Sequence, residues 1–343
     1  MLMQLEVIVR RGSIAESRHS VHAVATNVRG EVVLAAGDIG RVTTFRSSAK
    51  PFQLLPLVER GHADRWGFSP EDLAVMCASH TGSARHLERV RGILERIGLT
   101  EGALACGYHD PLDPDSLGRI QAHPEGRSAL YNNCSGKHAG MLCLALSEGW
   151  EIAGYVREDH PVQVLMRRTV AEMCGVSPES MQVAVDGCSV PVFALPLSAM
   201  ARGYARLAAA RADGDTRERA LDRIRAAMTA HPFAIGGAGR FSTQLMECLG
   251  TRVVSKGGAE GLECAGLTES GVGIALKCED GASRAMAPAM LAVLEQLGAL
   301  PKDSRPELEA LRRPLLRNSA GLEVGAIEAE MRAAVPGRSQ VAT

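Results

Sequence analysis

Aromatic residues and net charge are both scarce in this sequence. Phe, Trp and Tyr make up 3% of its 343 residues, and the formal net charge at pH 7 is −1. Surfaces that bind nucleic acid need basic patches and stacking rings, so this composition argues against a nucleic-acid partner. No run of about 18 apolar residues is present, which argues against a membrane span. The start, MLMQLEVIVRRG, lacks the order of regions in a signal peptide, so a cytoplasmic location is expected.

Paired cysteines are also missing. The nine cysteines are scattered and contain no CxxC pair, so neither a disulfide framework nor a zinc knuckle is indicated. Most of them are expected to be small buried hydrophobic residues in a reducing compartment. Cys134 and Cys188 differ, because each lies in a polar stretch that contains glycine.

The order of hydrophobic patterns is strands, then helices, then strands again. Alternating runs near the start and after residue 250 predict strands, and helical spacing occupies 47–61, 86–98, 138–149, 160–174, 216–230 and 284–298. The Ala/Arg-rich stretch 201–230 predicts a solvated pair of helices. This order predicts an α/β (α+β) fold, with one antiparallel sheet built from both termini, flanking helices and a helical lobe.

The same order predicts one catalytic domain over residues 1–335. Its sheet lobe would comprise about 1–50 and 245–335, its helical lobe about 51–245, and 336–343 would form a flexible tail. A functional site is expected in the cleft between the lobes.

The first candidate site is the SxxK pattern of Ser47 and Lys50, in RSSAKPFQ. Residues three apart share one face of a helix, so the lysine could take the serine proton if burial lowers its pKa. Backbone amides at the helix start could stabilise an oxyanion. The pattern alone is common, and Ser47 is equally explained as a helix cap.

Two further stretches carry small polar residues at expected turns. CASHTG, with Ser79, follows an apolar run and fits either a helix cap or a substrate-binding turn. SKGG, with Lys256 and Gly257, follows a predicted strand, where glycine would let a ligand approach the backbone. Lys256 would offer a positive charge, although the SKGG residues are also typical of an ordinary β-turn.

A metal site is the fourth candidate. Cys134 in NNCSGKHAGML and Cys188 in VDGCSVPVFALPL are suitable thiolate ligands for zinc. The third ligand could be His138 or, if its amine loses a proton, Lys137. Simple packing of both cysteines is the alternative.

Together these stretches resemble the thermolabile, Rhizobium-type (class 3) L-asparaginases over about residues 5–335. The resemblance is carried by RSSAKPFQ, CASHTG, NNCSGKHAGML, VDGCSVPVFALPL, HPFAIGGAGRFSTQLM and SKGGAEG, in that order. It implies the fold of serine β-lactamases and glutaminases, two catalytic pairs (Ser47–Lys50 and Ser79–Lys256), and a homodimer. It also implies a zinc ion bound by Cys134, Lys137 and Cys188, which would support substrate affinity more than chemistry.

The expected activity is hydrolysis of L-asparagine to L-aspartate and ammonia through an acyl-enzyme on Ser47. Arg46 and Asp186 are candidates for binding the α-carboxylate and α-amino groups, and His138 and Gly257 are further substrate-binding candidates. One alternative is an amidohydrolase that prefers glutamine or another amide on the same scaffold. The other is a zinc-dependent amino-acid-binding protein without catalysis, which would not need the Ser–Lys pairs.

Overall fold

The computed structural model describes residues 3–303 and 305–333. The predicted tail at 336–343 lies outside these residues. The strands are β1 (Met3–Arg11), β2 (Ile14–Thr26), β3 (Val32–Ala36), β4 (Val42–Thr44), β5 (Gln182–Val185), β6 (Pro191–Pro196), β7 (Val253–Gly258), β8 (Leu262–Leu267), β9 (Val272–Cys278), β10 (Leu315–Arg317) and β11 (Glu323–Ala333).

Strands from both ends of the chain form one sheet. Its order is β10-β11-β1-β3-β2-β9-β8-β7, and β1 also pairs directly with β2. All these pairings are antiparallel except a single parallel contact between β1 and β3. The predicted mixed fold with an antiparallel sheet from both termini is therefore confirmed. A smaller sheet has the order β4-β6-β5.

The helices occupy mainly the middle of the chain. They are α1 (Lys50–Glu59), α2 (His62–Arg65), α3 (Pro70–Met76), α4 (Ala84–Arg96), α5 (Pro114–Ala122), α6 (Ser135–Ser147), α7 (Pro161–Cys174), α8 (Leu197–Ala209), α9 (Thr216–Ala230), α10 (Pro232–Ile235), α11 (Phe241–Leu249), α12 (Met286–Gln296) and α13 (Pro306–Arg312). Every stretch with predicted helical spacing overlaps one of them. Among the described residues, no helix has the length and apolar character needed to cross a bilayer.

Helix α8 departs from the prediction of a solvated pair of helices. Most of its residues are buried, and it packs against β2, β8 and β9. Small residues permit this contact: a Cβ added to Gly273 on β9 would lie 2.0 Å from the Ala201 carbonyl oxygen. The arginines in 201–230 suggested solvent on all sides, but alanine and glycine let one face of α8 lie directly on the sheet.

Helix α6 is buried along most of its length, and it positions one wall of the site. Its residues from Ser135 to Ala145 are all buried. A Cβ added to Gly136 would lie 2.2 Å from the carbonyl oxygen of Val75 on α3. Glycine is required for this close approach, which brings the N-terminal end of α6 next to the turn that carries Ser79.

Candidate active site

A cleft of about 530 Å³ lies beside the edge strand β7 of the large sheet. Predicted site residues line it together: Arg46, Ser47, Ser79, Cys134, Asp186, Cys188, Lys256 and Gly257. Lys50, Lys137 and His138 are buried behind its surface. Five stretches that are far apart in the chain therefore meet at one cavity.

Ser47 lies in the cleft wall on a 3-10 turn, Arg46–Ala49, which leads directly into α1. Arg46 has φ of 45°, a conformation that side chains rarely adopt and that is often retained at functional sites. The neighbouring Ser48 is fully buried and donates from Oγ to the Lys256 carbonyl oxygen at 2.8 Å. Ser48 thus fixes the turn to β7, a role that the sequence analysis did not assign.

The backbone of this turn leaves a donor beside the cleft. Within the described ranges, the N–H of Ser47 has no hydrogen-bond acceptor, as is usual in the first turn of a helix. It can therefore contribute to an oxyanion hole. The amide of Gly257, by contrast, donates to Ser242 Oγ at 2.9 Å and is not available for that purpose.

The structure does not form the predicted Ser47–Lys50 hydrogen bond. Lys50 Nζ instead donates to Ser79 Oγ at 2.9 Å and to the Ala78 carbonyl oxygen. The two residues are three apart on the helix, but the lysine side chain extends away from Ser47 towards the turn that follows α3. The expected pairing of Lys50 with Ser47 is corrected accordingly.

Both lysines instead converge on the hydroxyl of Ser79. Lys256 Nζ lies 2.9 Å from Ser79 Oγ and 2.6 Å from the Gly257 carbonyl oxygen. Burial, followed by the positive charge of Lys50, lowers the pKa of Lys256 to about 7. A lysine with this pKa is substantially a neutral amine near neutral pH, so it can accept a proton from a serine.

Arg46 and Asp186 form an ion pair at one side of the cleft, with Arg46 Nε 2.9 Å from Asp186 Oδ1. The same carboxylate oxygen accepts the Gly187 amide at 2.9 Å. Although burial opposes ionisation, Lys137 and Arg46 hold the pKa of Asp186 below its usual value. Asp186 is therefore already neutralised by protein groups, whereas Arg46 keeps further N–H donors for a carboxylate.

The three predicted metal ligands lie together and are buried. Lys137 Nζ is 3.0 Å from Cys188 Sγ, and a hydrogen bond from Cys188 holds the pKa of Cys134 well below its usual value despite burial. Burial disfavours a charged Lys137, but the Cys134 and Cys188 sulfurs raise its pKa overall. Two sulfurs and one nitrogen are a suitable donor set for zinc, provided that the cation displaces the lysine proton.

His138 does not lie where the sequence analysis expected it. It is fully buried, and its Nδ1 hydrogen-bonds the Tyr155 hydroxyl at 2.6 Å, away from the cleft lining. His138 therefore does not line the cleft as a substrate-binding residue would, and the expected substrate-binding role is corrected. Its alternative role as a metal ligand stays a prediction.

A carboxyl group missed by the sequence analysis lies in the cleft. Glu263 on β8 is paired with Gly257 on β7, and it accepts hydrogen bonds from the hydroxyls of Ser242 and Ser255. The pairing register of β7 and β8 brings these residues together, and no local sequence pattern specifies that register. The motif HPFAIGGAGRFSTQLM did contain Ser242 and the cleft-lining Arg240.

Comparison with known proteins identifies one family. The model of the family described as L-asparaginase II matches residues 7–329. Curated protein sequences give no significant match. Among solved structures, a β-lactamase from Mycobacterium bovis has 14% identity and a TM-score of 0.40, with 80% of this chain and 94% of that chain covered.

A penicillin-binding protein homologue from Pyrococcus abyssi, described as octameric, has 14% identity and a TM-score of 0.35. The match covers 85% of this chain and 76% of that one. Both structural similarities are remote.

Proposed function

This chain belongs to the L-asparaginase II family, and from that premise we propose that it hydrolyses L-asparagine to L-aspartate and ammonia through a serine acyl-enzyme. The observation that carries the mechanism is the convergence of Lys50 and Lys256 on Ser79 Oγ in a cleft that Ser47 also lines. A buried pair of lysines on one hydroxyl has a high desolvation cost, which is characteristic of sites that move protons.

In the proposed mechanism Ser47 is the nucleophile and Ser79 passes its proton to Lys256. Ser47 is half-buried in the cleft wall, whereas Ser79 is only 7% exposed and is already bonded to two amines. Ser47 Oγ forms a bond to the side-chain amide carbon as its proton moves to Ser79 and the Ser79 proton moves to Lys256. The Ser47 N–H would stabilise the resulting oxyanion.

The tetrahedral adduct then breaks its C–N bond. Lys256 returns the proton to the leaving nitrogen, so ammonia departs and an ester on Ser47 remains. Water attacks that ester and gives one proton to Lys256, after which the C–O bond breaks and Ser47 recovers a proton. The products are L-aspartate and the original enzyme. The positive charge of Lys50 lowers the pKa of Lys256, so Lys256 is available as a neutral base at neutral pH and above.

Substrate binding would use the charges of the cleft wall. Among the described residues, Asp186 is the side chain that accepts a hydrogen bond from Arg46, so the remaining N–H groups of Arg46 would bind the α-carboxylate of asparagine. The predicted role of Asp186 at the α-ammonium is less well supported, because Arg46 and the Gly187 amide already occupy its Oδ1. Asp186 would instead fix the orientation of Arg46.

Zinc would be held by Cys134, Lys137 and Cys188. When bound, it would supply positive charge and rigidity to the wall of the cleft, which favours substrate affinity. Cys134 and Cys188 also line the cleft, so ordering of these residues would be transmitted directly to the substrate. The homodimer and the cytoplasmic location remain predictions, and light scattering of the purified protein would test the former.

Glutamine is the main competing substrate. It is one methylene longer than asparagine, a difference worth only about 1–3 kcal/mol in a pocket. The binding-protein alternative is disfavoured by the two lysines on Ser79, because a binding protein has no need for a base of lowered pKa.

The test is ammonia release by the purified protein from L-asparagine and from L-glutamine, with and without a zinc chelator. We expect release from asparagine, with lower apparent affinity after chelation. Faster ammonia release from glutamine than from asparagine would identify the protein as a glutaminase. If the protein binds asparagine but releases ammonia from neither amide, the hydrolase assignment is wrong and the alternative of an amino-acid-binding protein is supported.

A further inference from the structure

The cleft contains a carboxyl group that the proposed mechanism leaves unused. Among the described residues, Asp186 and Glu263 are the two carboxylates that line the cavity. Glu263 is only 4% exposed. A carboxyl group buried to this extent needs a compensating partner.

One oxygen of Glu263 is fixed and the other is not. Oε1 accepts hydrogen bonds from Ser242 Oγ at 2.9 Å and from Ser255 Oγ at 2.8 Å. Oε2 accepts none from the residues that the structure describes, and it is not one of the fully enclosed polar atoms without a partner. The carboxyl group is therefore held in one orientation with an oxygen that remains accessible from the cleft.

Gly257 creates the space that this oxygen occupies. A Cβ added to Gly257 would lie 2.5 Å from Glu263 Oε2, a distance too short for non-bonded atoms. The glycine of the SKGG stretch thus allows the carboxyl group to lie against the edge strand. This explains why Gly257 belongs to the site although its N–H is bonded to Ser242.

Among the described residues, Glu263 is the cleft carboxyl group without a direct ion pair. Asp186 is paired with Arg46 at 2.9 Å, whereas Glu263 is hydrogen-bonded by the Ser242 and Ser255 hydroxyls. Burial raises the pKa of Glu263, and the positive charges of Lys256 and Arg240 act in the opposite direction. L-Asparagine carries both a carboxylate and an ammonium group. With Arg46 available for the carboxylate, Glu263 is the remaining partner for the ammonium.

The position of Glu263 also suits the length of the substrate. Lys256 Nζ contacts both Ser79 Oγ and the carbonyl oxygen of Gly257, the residue against which the Glu263 carboxyl group lies. In asparagine only two carbon atoms separate the amide carbon from the α-nitrogen. A group that binds the α-ammonium must therefore lie in the same part of the cleft as the reacting groups, and Glu263 lines the cavity that Ser47 and Lys256 also line.

We propose that Glu263 Oε2 binds the α-ammonium group of L-asparagine and makes the enzyme selective for amides that carry an α-amino group. This assignment rests on the proposed function. It predicts that succinamate, which is asparagine without its α-amino group, is a poor substrate because Oε2 of the buried carboxylate is then left without a hydrogen-bond donor.

The experiment compares kcat/KM for L-asparagine and succinamate in the wild-type enzyme and in Glu263→Gln. The wild type should prefer asparagine by about 10²-fold or more. E263Q should lose about 10²-fold in its preference for asparagine over succinamate, and the loss specific to asparagine should lie mainly in KM. The charge of Glu263 also acts on Lys256, but that effect is common to both substrates, so their ratio is the informative quantity.

Two matched variants complete the test. Ser255→Ala removes one hydrogen bond to Oε1 and keeps the charge, so it should keep the preference for asparagine. Asp186→Asn should slow both substrates and also keep the preference. If E263Q is unfolded by circular dichroism, Glu263→Asp replaces it, and a preference smaller than that of the wild type is expected because its carboxylate is withdrawn.

Several results would overturn the assignment. Equal losses on both substrates in E263Q would show a structural role, and an unchanged preference in E263D would show that the carboxylate is not the anchor. Loss of preference in D186N would assign the ammonium to Asp186. A wild-type enzyme that hydrolyses both amides equally overturns this inference alone, whereas one that hydrolyses neither overturns the proposed function as well.

Discussion

Removal of the Lys50 charge tests the central feature of the site, the lowered pKa of Lys256. Lys50 and Lys256 both place Nζ 2.9 Å from Ser79 Oγ, so the two nitrogens are at most about 6 Å apart. After burial, the charge of Lys50 is the next largest cause of the lowered pKa. The perturbation is Lys50→Met, which keeps a long apolar side chain and deletes the charge.

The expected shift follows from Coulomb's law. Two unit charges about 6 Å apart repel by about 3 kcal/mol at an effective dielectric constant of about 20. That energy corresponds to about two pKa units. The pKa of Lys256 should therefore rise from about 7 towards about 9 in the variant, and burial should keep it below the value of a free lysine.

The assay is the pH dependence of kcat/KM for L-asparagine. In the proposed mechanism the neutral amine of Lys256 is the proton acceptor, so activity should increase as the pH rises through its pKa. This increase should be centred near pH 7 in the wild type. In K50M it should move to higher pH, and Lys302→Met, at an exposed residue, serves as the control.

If K50M is too slow for kinetics, the same shift can be measured by NMR. Lysine labelled with ¹³C at Cε reports each amine titration directly, from about pH 5 to about pH 10. An unmoved or more acidic titration of Lys256 in K50M would refute the reasoning, because it would mean that Lys50 does not depress this pKa.

Three further predictions concern the nucleophile, the metal and the glycine of the edge strand. Ser47→Ala should lose about 10³-fold or more in kcat, and mass spectrometry of the quenched wild-type enzyme should find the acyl group on Ser47; an acyl group on Ser79 would reassign the nucleophile. Cys134→Ala should lower the zinc content and raise KM with little change in kcat, and loss of turnover at saturating asparagine would instead place the metal or thiol in the chemistry. Gly257→Ala must displace the Glu263 carboxyl group, so we expect about a tenfold lower kcat/KM in a folded protein, and wild-type kinetics would contradict that packing.

The sequence predicts the fold well because hydrophobic periodicity carries the information. Alternating runs at both ends gave the strands of the large sheet, and helical spacing gave α1, α4, α6, α7, α9 and α12. The solvated face assigned to residues 201–230 was wrong for α8. The arginine content suggested that these helices are exposed to solvent, whereas α8 packs on the sheet through small residues that contact it.

The site was predicted less completely, because spacing along the chain does not determine where long side chains point. Ser47 and Lys50 have the spacing of a helical pair, yet Lys50 reaches Ser79. Lys137 and His138 are adjacent in sequence, yet Lys137 donates to the Cys188 sulfur whereas His138 hydrogen-bonds the Tyr155 hydroxyl. Glu263 lies opposite Gly257 through strand register, which no local pattern specifies.

The bond from Ser48 Oγ to the Lys256 carbonyl oxygen joins residues that are 208 positions apart. A ribosome releases the residues of α1 and α6 long before it makes β7, so the growing chain carries Ser47, Ser79 and the cysteine pair without the lysine of lowered pKa. Contacts of such long sequence separation close late in folding, since the intervening loop must first be ordered. The convergence of both lysines on Ser79 is therefore completed only after β7 has been made and has joined the sheet that the N-terminal strands begin.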